Sequence, residues 1–250
     1  MSVGADLGVL GSSPRIADES QRQLVSGSGF SPATTRLIGL AGLLSFDLIV
    51  AAIFISPPLW SAPGTRSSAT AVALYGQHNA TRITLALFVY SLAMGLFLCF
   101  AAGLWSWLRH REGAPQILST IFGLATVAAT VLILAGFVPT YVLAYRSQPA
   151  SVAGLLGDLT FGLLALSGIP TALFLAVYAA LVFRRGGLPR WTAYLAAVGA
   201  CAHLLITASF LSHGAFLSLE SGVIVWVPAT FFIWILAVSA AFYRGRLDLS

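Results

Sequence analysis

Long apolar runs, broken by short polar segments, set the pattern of this chain. A helix needs about 20 apolar residues to cross the hydrocarbon core of a bilayer. Six stretches reach that length: 34–56, 83–108, 117–143, 159–183, 191–212 and 222–243. The pattern predicts an all-α, polytopic membrane helix bundle of six transmembrane helices.

The breaks define the organisation. Residues 1–33 are polar and rich in Gly and Ser, with Asp6, Arg15, Asp18, Glu19 and Arg22. No apolar core follows Met1, so the segment reads as a disordered cytoplasmic tail and not as a cleavable leader. The transmembrane domain is expected over 34–244, with a short cytoplasmic C-terminus over 245–250. Two connections are tight, 109–116 and 184–190. The longest, 57–82, carries Pro57, Pro58, Pro63 and Gly64, and its part 69–74 is expected to form a short helix on the membrane surface. Pro139, Pro170 and Pro228 fall inside spans, where each frees a backbone carbonyl and can kink its helix. The pairs Ala125/Ala129 and Ala196/Ala200 have the spacing that lets helices approach closely. Three spans on either side of 143–159 would suit an inverted repeat, but the halves share no internal similarity.

Composition agrees with lipid as the solvent. Of 250 residues, 58% are hydrophobic and 8% are charged, against about 25% charged in soluble domains. The net charge is +5, and all 13 basic residues are arginine. These arginines sit at span ends and form no stripe interleaved with aromatics, so nucleic acid is not an expected partner. With the N-terminus inside, the cytoplasmic segments hold Arg15, Arg22, Arg36, Arg109, Arg111, Arg184, Arg185, Arg190, Arg244 and Arg246. The outer segments hold only Arg66, Arg82 and Arg146. Positive charge resists translocation, so this bias predicts both termini in the cytoplasm and a multi-pass protein of the cell membrane. Cys99 and Cys201 lie in apolar runs without ligand spacing, and are expected as buried, inert thiols.

Ionisable side chains within a membrane are costly and mark sites. Asp47 lies nine residues before Ser56 in the first span, and His203 nine before Ser212 in the fifth. Both are thus about 13 Å below the outer boundary, where they could face each other. Asp158, Glu220, His213, His78 and Arg82 fall near that same outer end. One reading is structural: an Asp47–His203 or Asp47–Arg82 pair joining helices, with Glu220 and Asp158 favouring helix N-termini. The other is an outward-facing pocket. Its candidate acids are Asp47, Asp158 and Glu220, with His203 beside them. Its candidate ligand-binding residues are Tyr75, His78, Arg82, His213 and Trp226. Tyr141, Tyr145, Phe161, Phe210 and Phe216 are further aromatic candidates, for which an interfacial belt is the competing account.

A buried carboxylic acid can protonate a hydrophobic substrate, and aromatic faces can stabilise a carbocation. That combination suits acid-started cyclisation or isomerisation of an isoprenoid. The same groups suit reversible binding of a lipophilic or small ligand. No nucleotide-binding glycine motif, zinc-binding histidine pair, nucleophile elbow or Schiff-base lysine occurs, and haem would lack a second deep histidine. No cofactor and no metal are expected. The expected partners are the lipid bilayer, a hydrophobic small molecule, and a membrane-protein partner or a second copy of the chain.

Arg36-Leu37-Ile38-Gly39 opens the first span, and Gly187-Leu188-Pro189-Arg190-Trp191 opens the fifth. In these features residues 34–244 resemble the bacterial six-helix membrane proteins of domain-of-unknown-function 4386. The resemblance implies fold and membrane location, and no activity. In size and in carrying acids within helices, the chain is similar as a class to small integral-membrane terpene cyclases. That similarity assigns no catalytic acid to a position here.

Overall fold

The computed structural model describes residues 30–57, 63, 64, 67–211 and 222–245, with backbone alone for 222–225. Helix α1 spans Pro32–Ile55, α2 Ala69–His78, α3 Ala80–Glu112 and α4 Ile117–Tyr145. Helix α5 spans Ala150–Leu166, α6 Gly168–Arg185, α7 Arg190–Ala208 and α8 Gly222–Tyr243. A single 3₁₀ turn, Ser209–Leu211, follows α7. No strand occurs among the described residues. Six units are long and apolar enough to cross a membrane: α1, α3, α4, α5 with α6, α7 with its 3₁₀ turn, and α8 from Trp226. The chain is an all-α integral membrane protein.

The spans close a ring. Helix α1 packs on α3, α3 on α4, α4 on α6, α6 on α7, α7 on α8, and α8 returns to α1. The inside of this ring is chosen by size and shape rather than by hydropathy. On α1 the buried positions include Thr35, Gly39, Gly42, Ser45 and Ala52. Leu37, Leu40, Leu44 and Phe54 of the same helix are exposed. Lipid is as apolar as leucine, so small residues that allow close backbone contact take the interface. A Cβ on Gly39 would stand 2.5 Å from the Tyr243 amide nitrogen of α8. Ser45 Oγ donates to the Ala93 carbonyl of α3 at 2.8 Å.

Aromatic rings fill the middle of the bundle. Phe97, Phe100, Phe122, Phe174, Tyr178 and Trp234 are fully buried. Edge-to-face contacts link Phe97 to Phe231 (5.2 Å), Tyr178 to Trp234 (5.1 Å) and Phe122 to Phe174 (5.9 Å). Such pairs contribute about 0.5–1.5 kcal/mol each beyond area burial. The Tyr178 hydroxyl and Thr192 Oγ1 hydrogen-bond at 2.7 Å, joining α6 to α7.

Four expectations are corrected. The fourth span begins at Ala150 rather than 159 and is two helices, broken at Ser167. Pro170 lacks an N–H and leaves the Leu166 carbonyl, four residues back, without its helical donor; two neighbouring carbonyls are met by side chains. Ser167 Oγ donates to Leu164 O at 2.6 Å, and Thr207 Oγ1 of α7 donates to Ala165 O at 3.0 Å. Pro139 and Pro228, by contrast, lie inside unbroken helices. Second, the connecting helix runs to His78 and packs on α5, with Val72 and Ala73 buried against Leu143 and Ala153. Its buried face rests on the bundle, while Thr70, Ala71, Leu74, Gln77 and His78 are exposed. Third, Cys99 and Cys201 are exposed, because apolar runs in a bilayer serve lipid-facing sides as well as the core. Fourth, α3 extends from Ala80 to Glu112, about 50 Å at 1.5 Å per residue. That exceeds the roughly 30 Å of a bilayer's hydrocarbon core. In its last turn Glu112 accepts hydrogen bonds from the Leu118 and Ser119 amides at 2.9 and 2.7 Å, capping α4. The tail expectations for 1–29 and the C-terminal expectation for 246–250 lie outside the described residues.

Candidate functional site

A cavity of about 430 Å³ lies at the end of the bundle where α2 sits. Its making begins with turn chemistry. Ser68 caps α2, its hydroxyl accepting from the Ala71 amide at 3.2 Å. Asn79 ends α2 and leads into α3, its side-chain nitrogen donating to Tyr75 O at 3.0 Å. Gln77 Nε2 donates to Ser147 Oγ at 2.8 Å, pinning α2 to the end of α4. Glycines on α5 let α2 come close: a Cβ on Gly154 would meet Ala69 Cβ at 3.2 Å, and one on Gly157 would meet Val72 Cγ1 at 3.4 Å. Helix α2 therefore roofs a space walled by α3, α4 and α5.

Apolar groups dominate the walls: Val72 of α2, Ile83, Ala86 and Leu87 of α3, Leu143 of α4, and Phe161 of α5. Thr140 and Thr160 also line it, and their hydroxyls are 2.8 Å apart. Thr160 donates onward to Leu156 O at 3.0 Å, so this pair's polar demand is met within the protein. Asp158 is the one carboxylate among the described lining residues, and its side chain is exposed. It makes no hydrogen bond or ion pair with another described residue. Tyr75 lines the same space from α2.

Of the candidate residues, the structure thus brings Asp158 and Tyr75 together, with the expected aromatic Phe161. Arg82 stands one step behind the wall. Its guanidinium donates to Ile55 O at 3.0 Å and Ser56 O at 2.9 Å, satisfying carbonyls that the end of α1 leaves open, and Ser56 lines the cavity. His78 is exposed at the last position of α2. Trp226 is 73% exposed and Tyr141 stacks on Tyr145 at 6.5 Å, none of them in the cavity wall. Glu220, His213 and Phe216 lie outside the described residues.

Asp47 and His203 do not pair. His203 is buried on α7, with Nδ1 2.8 Å from Gly199 O and its ring edge-to-face with Phe231. Asp47 is exposed on α1. Nor does Asp47 pair with Arg82, whose Nε and Nη2 donate to Ile55 O and Ser56 O. The described acids therefore do not converge on one point.

Sequence reasoning missed Thr140, Thr160, Gly154, Gly157 and Leu87 as lining residues. The usable signal was the Gly154/Gly157 spacing of three, which marks a helix face prepared for close approach. The chain matches no protein-family model, no curated protein and no solved structure.

Proposed function

We propose that this integral membrane protein holds a lipophilic ligand in the cavity beneath α2. The observation that carries the reading is a space of about 430 Å³ with apolar walls and one carboxylate, Asp158, in its lining. Small-molecule sites are concave, mostly apolar, about 300–1,000 Å³, and oriented by a few polar groups. An acyl, prenyl or ring body fits the walls, and a hydrogen-bond donor on the ligand meets Asp158. The packed aromatic middle of the ring favours holding a ligand over conducting one.

Orientation belongs to the same proposal. Seven described arginines (Arg36, Arg109, Arg111, Arg184, Arg185, Arg190, Arg244) lie at the end opposite α2, and two (Arg82, Arg146) at the α2 end. By the positive-inside rule the cavity end faces away from the cytoplasm. The test is native mass spectrometry of the full chain extracted with its surrounding lipid, beside a Leu87→Trp variant that fills the cavity. The expected result is a bound small molecule on the parent chain, lost from the variant at unchanged thermal stability. A bare parent chain, or equal retention by the variant, refutes the site.

A further inference from the structure

Asp47 is left over by the fold. It lies on α1 nine residues before Ser56, about 13 Å below that helix end. Its side chain is exposed, in a stripe that runs Leu37, Leu40, Leu44, Asp47 and Phe54, with Ala51 half-buried between the last two. Steps of three and four residues are the spacing of a helix–helix seam. Leu37 is 67% and Phe54 80% exposed, so the bundle itself does not use this face.

Acyl chains are a poor cover for it. Aspartate is among the costliest side chains to place in mid-bilayer, and it is too short to reach the interface from that depth. No described group of this chain takes the charge. The Ser45–Ala93 hydrogen bond sets the level of α3 against α1. Level with Asp47 on α3 is Ser91, and its hydroxyl donates instead to Leu87 O. The described arginines stand at helix ends, and the chain contains no lysine.

We propose that this stripe of α1 docks a transmembrane helix of another protein that carries one lysine or arginine at the depth of Asp47. Charge complementarity selects the occupant. Copies of this chain inserted alike meet at equal depths, and no described arginine of a second copy reaches that level. The heptad spacing supplies the packing and Asp47 supplies the register, as a single polar group does in a coiled-coil seam.

The test uses the full chain in phosphatidylcholine vesicles and a synthetic Leu/Ala transmembrane helix as probe. The probe carries one lysine about 13 Å from its outer end and a photoreactive leucine beside it; a control probe has leucine in place of the lysine. The lysine probe is expected to crosslink to α1 on the order of tenfold more than the control. Asp47→Asn brings that ratio to about one, and Leu44→Trp, which blocks the seam and keeps the charge, lowers the yield of the lysine probe. Both positions are exposed, so neither change threatens folding. Equal yields from the two probes, crosslinks outside α1, or an unchanged ratio in Asp47→Asn overturn the proposal. So does self-crosslinking of Leu44→Cys in a Cys99→Ser/Cys201→Ser background, which would assign the face to a second copy.

Discussion

Gly39→Ala probes the packing rule that builds this ring. The added Cβ would lie 2.5 Å from Tyr243 N, 2.8 Å from Ser239 O and 2.9 Å from Tyr243 Cα. All three are backbone atoms of α8, so no side chain can rotate away. Ordinary contact begins near 3.4 Å, and 3.4 − 2.5 leaves 0.9 Å to be gained by moving α1 from α8. A gap of that size forfeits about a quarter to a half of the dispersion energy along the contact, and forced overpacking costs about 1–3 kcal/mol. Alanine also improves helix propensity by about 1 kcal/mol, which masks part of the loss. Gly95→Ala removes that ambiguity: it gains the same propensity, and its Cβ meets nothing within 4 Å. The difference between the two variants isolates the clash, about 2 kcal/mol. Reversible unfolding by SDS titration in mixed micelles, followed by circular dichroism, measures it. Variants within about 0.5 kcal/mol of each other would refute the account of the α1–α8 interface.

Two further changes test the connections. Glu112→Ala removes the acceptor for the Leu118 and Ser119 amides and is expected to cost about 1–2 kcal/mol in the same titration, with Glu112→Gln intermediate. Thr207→Val strips the hydroxyl from Ala165 O at the α5–α6 break. The expected loss there is about 0.6 kcal/mol, the average for hydrogen bonds between membrane helices, and at most about 1.7 kcal/mol; the check is the same unfolding midpoint.

The spans were legible because hydropathy over 20 residues measures what the bilayer selects. The exceptions have physical causes. The start of α5 was missed because Ser151, Gly154, Gly157 and Asp158 dilute its hydropathy, although glycine is tolerated where helices must approach. Depth along the axis could be counted, so Asp158 and Tyr75 were placed near one end, and both line the cavity there. Direction around the axis could not be read. In a soluble helix the polar side marks solvent, but α1 buries Thr35 and Ser45 while exposing Leu37 and Leu44. Lipid and core are both apolar, so the sequence carries little phase. That is why counting nine residues from equivalent ends puts Asp47 and His203 at one depth without telling whether they face each other. The structure turns Asp47 outward and buries His203 against Phe231.

The claim on which the cavity's role rests is that the α2 end and the arginine-rich end lie on opposite sides of one bilayer. Single cysteines at His78, the last residue of α2, and at His110, in the last turn of α3, are to be introduced with Cys99 and Cys201 changed to serine. An impermeant maleimide applied to intact cells is expected to label His78→Cys and to reach His110→Cys only after permeabilisation. Labelling of both positions in intact cells, or of His110→Cys alone, would contradict it.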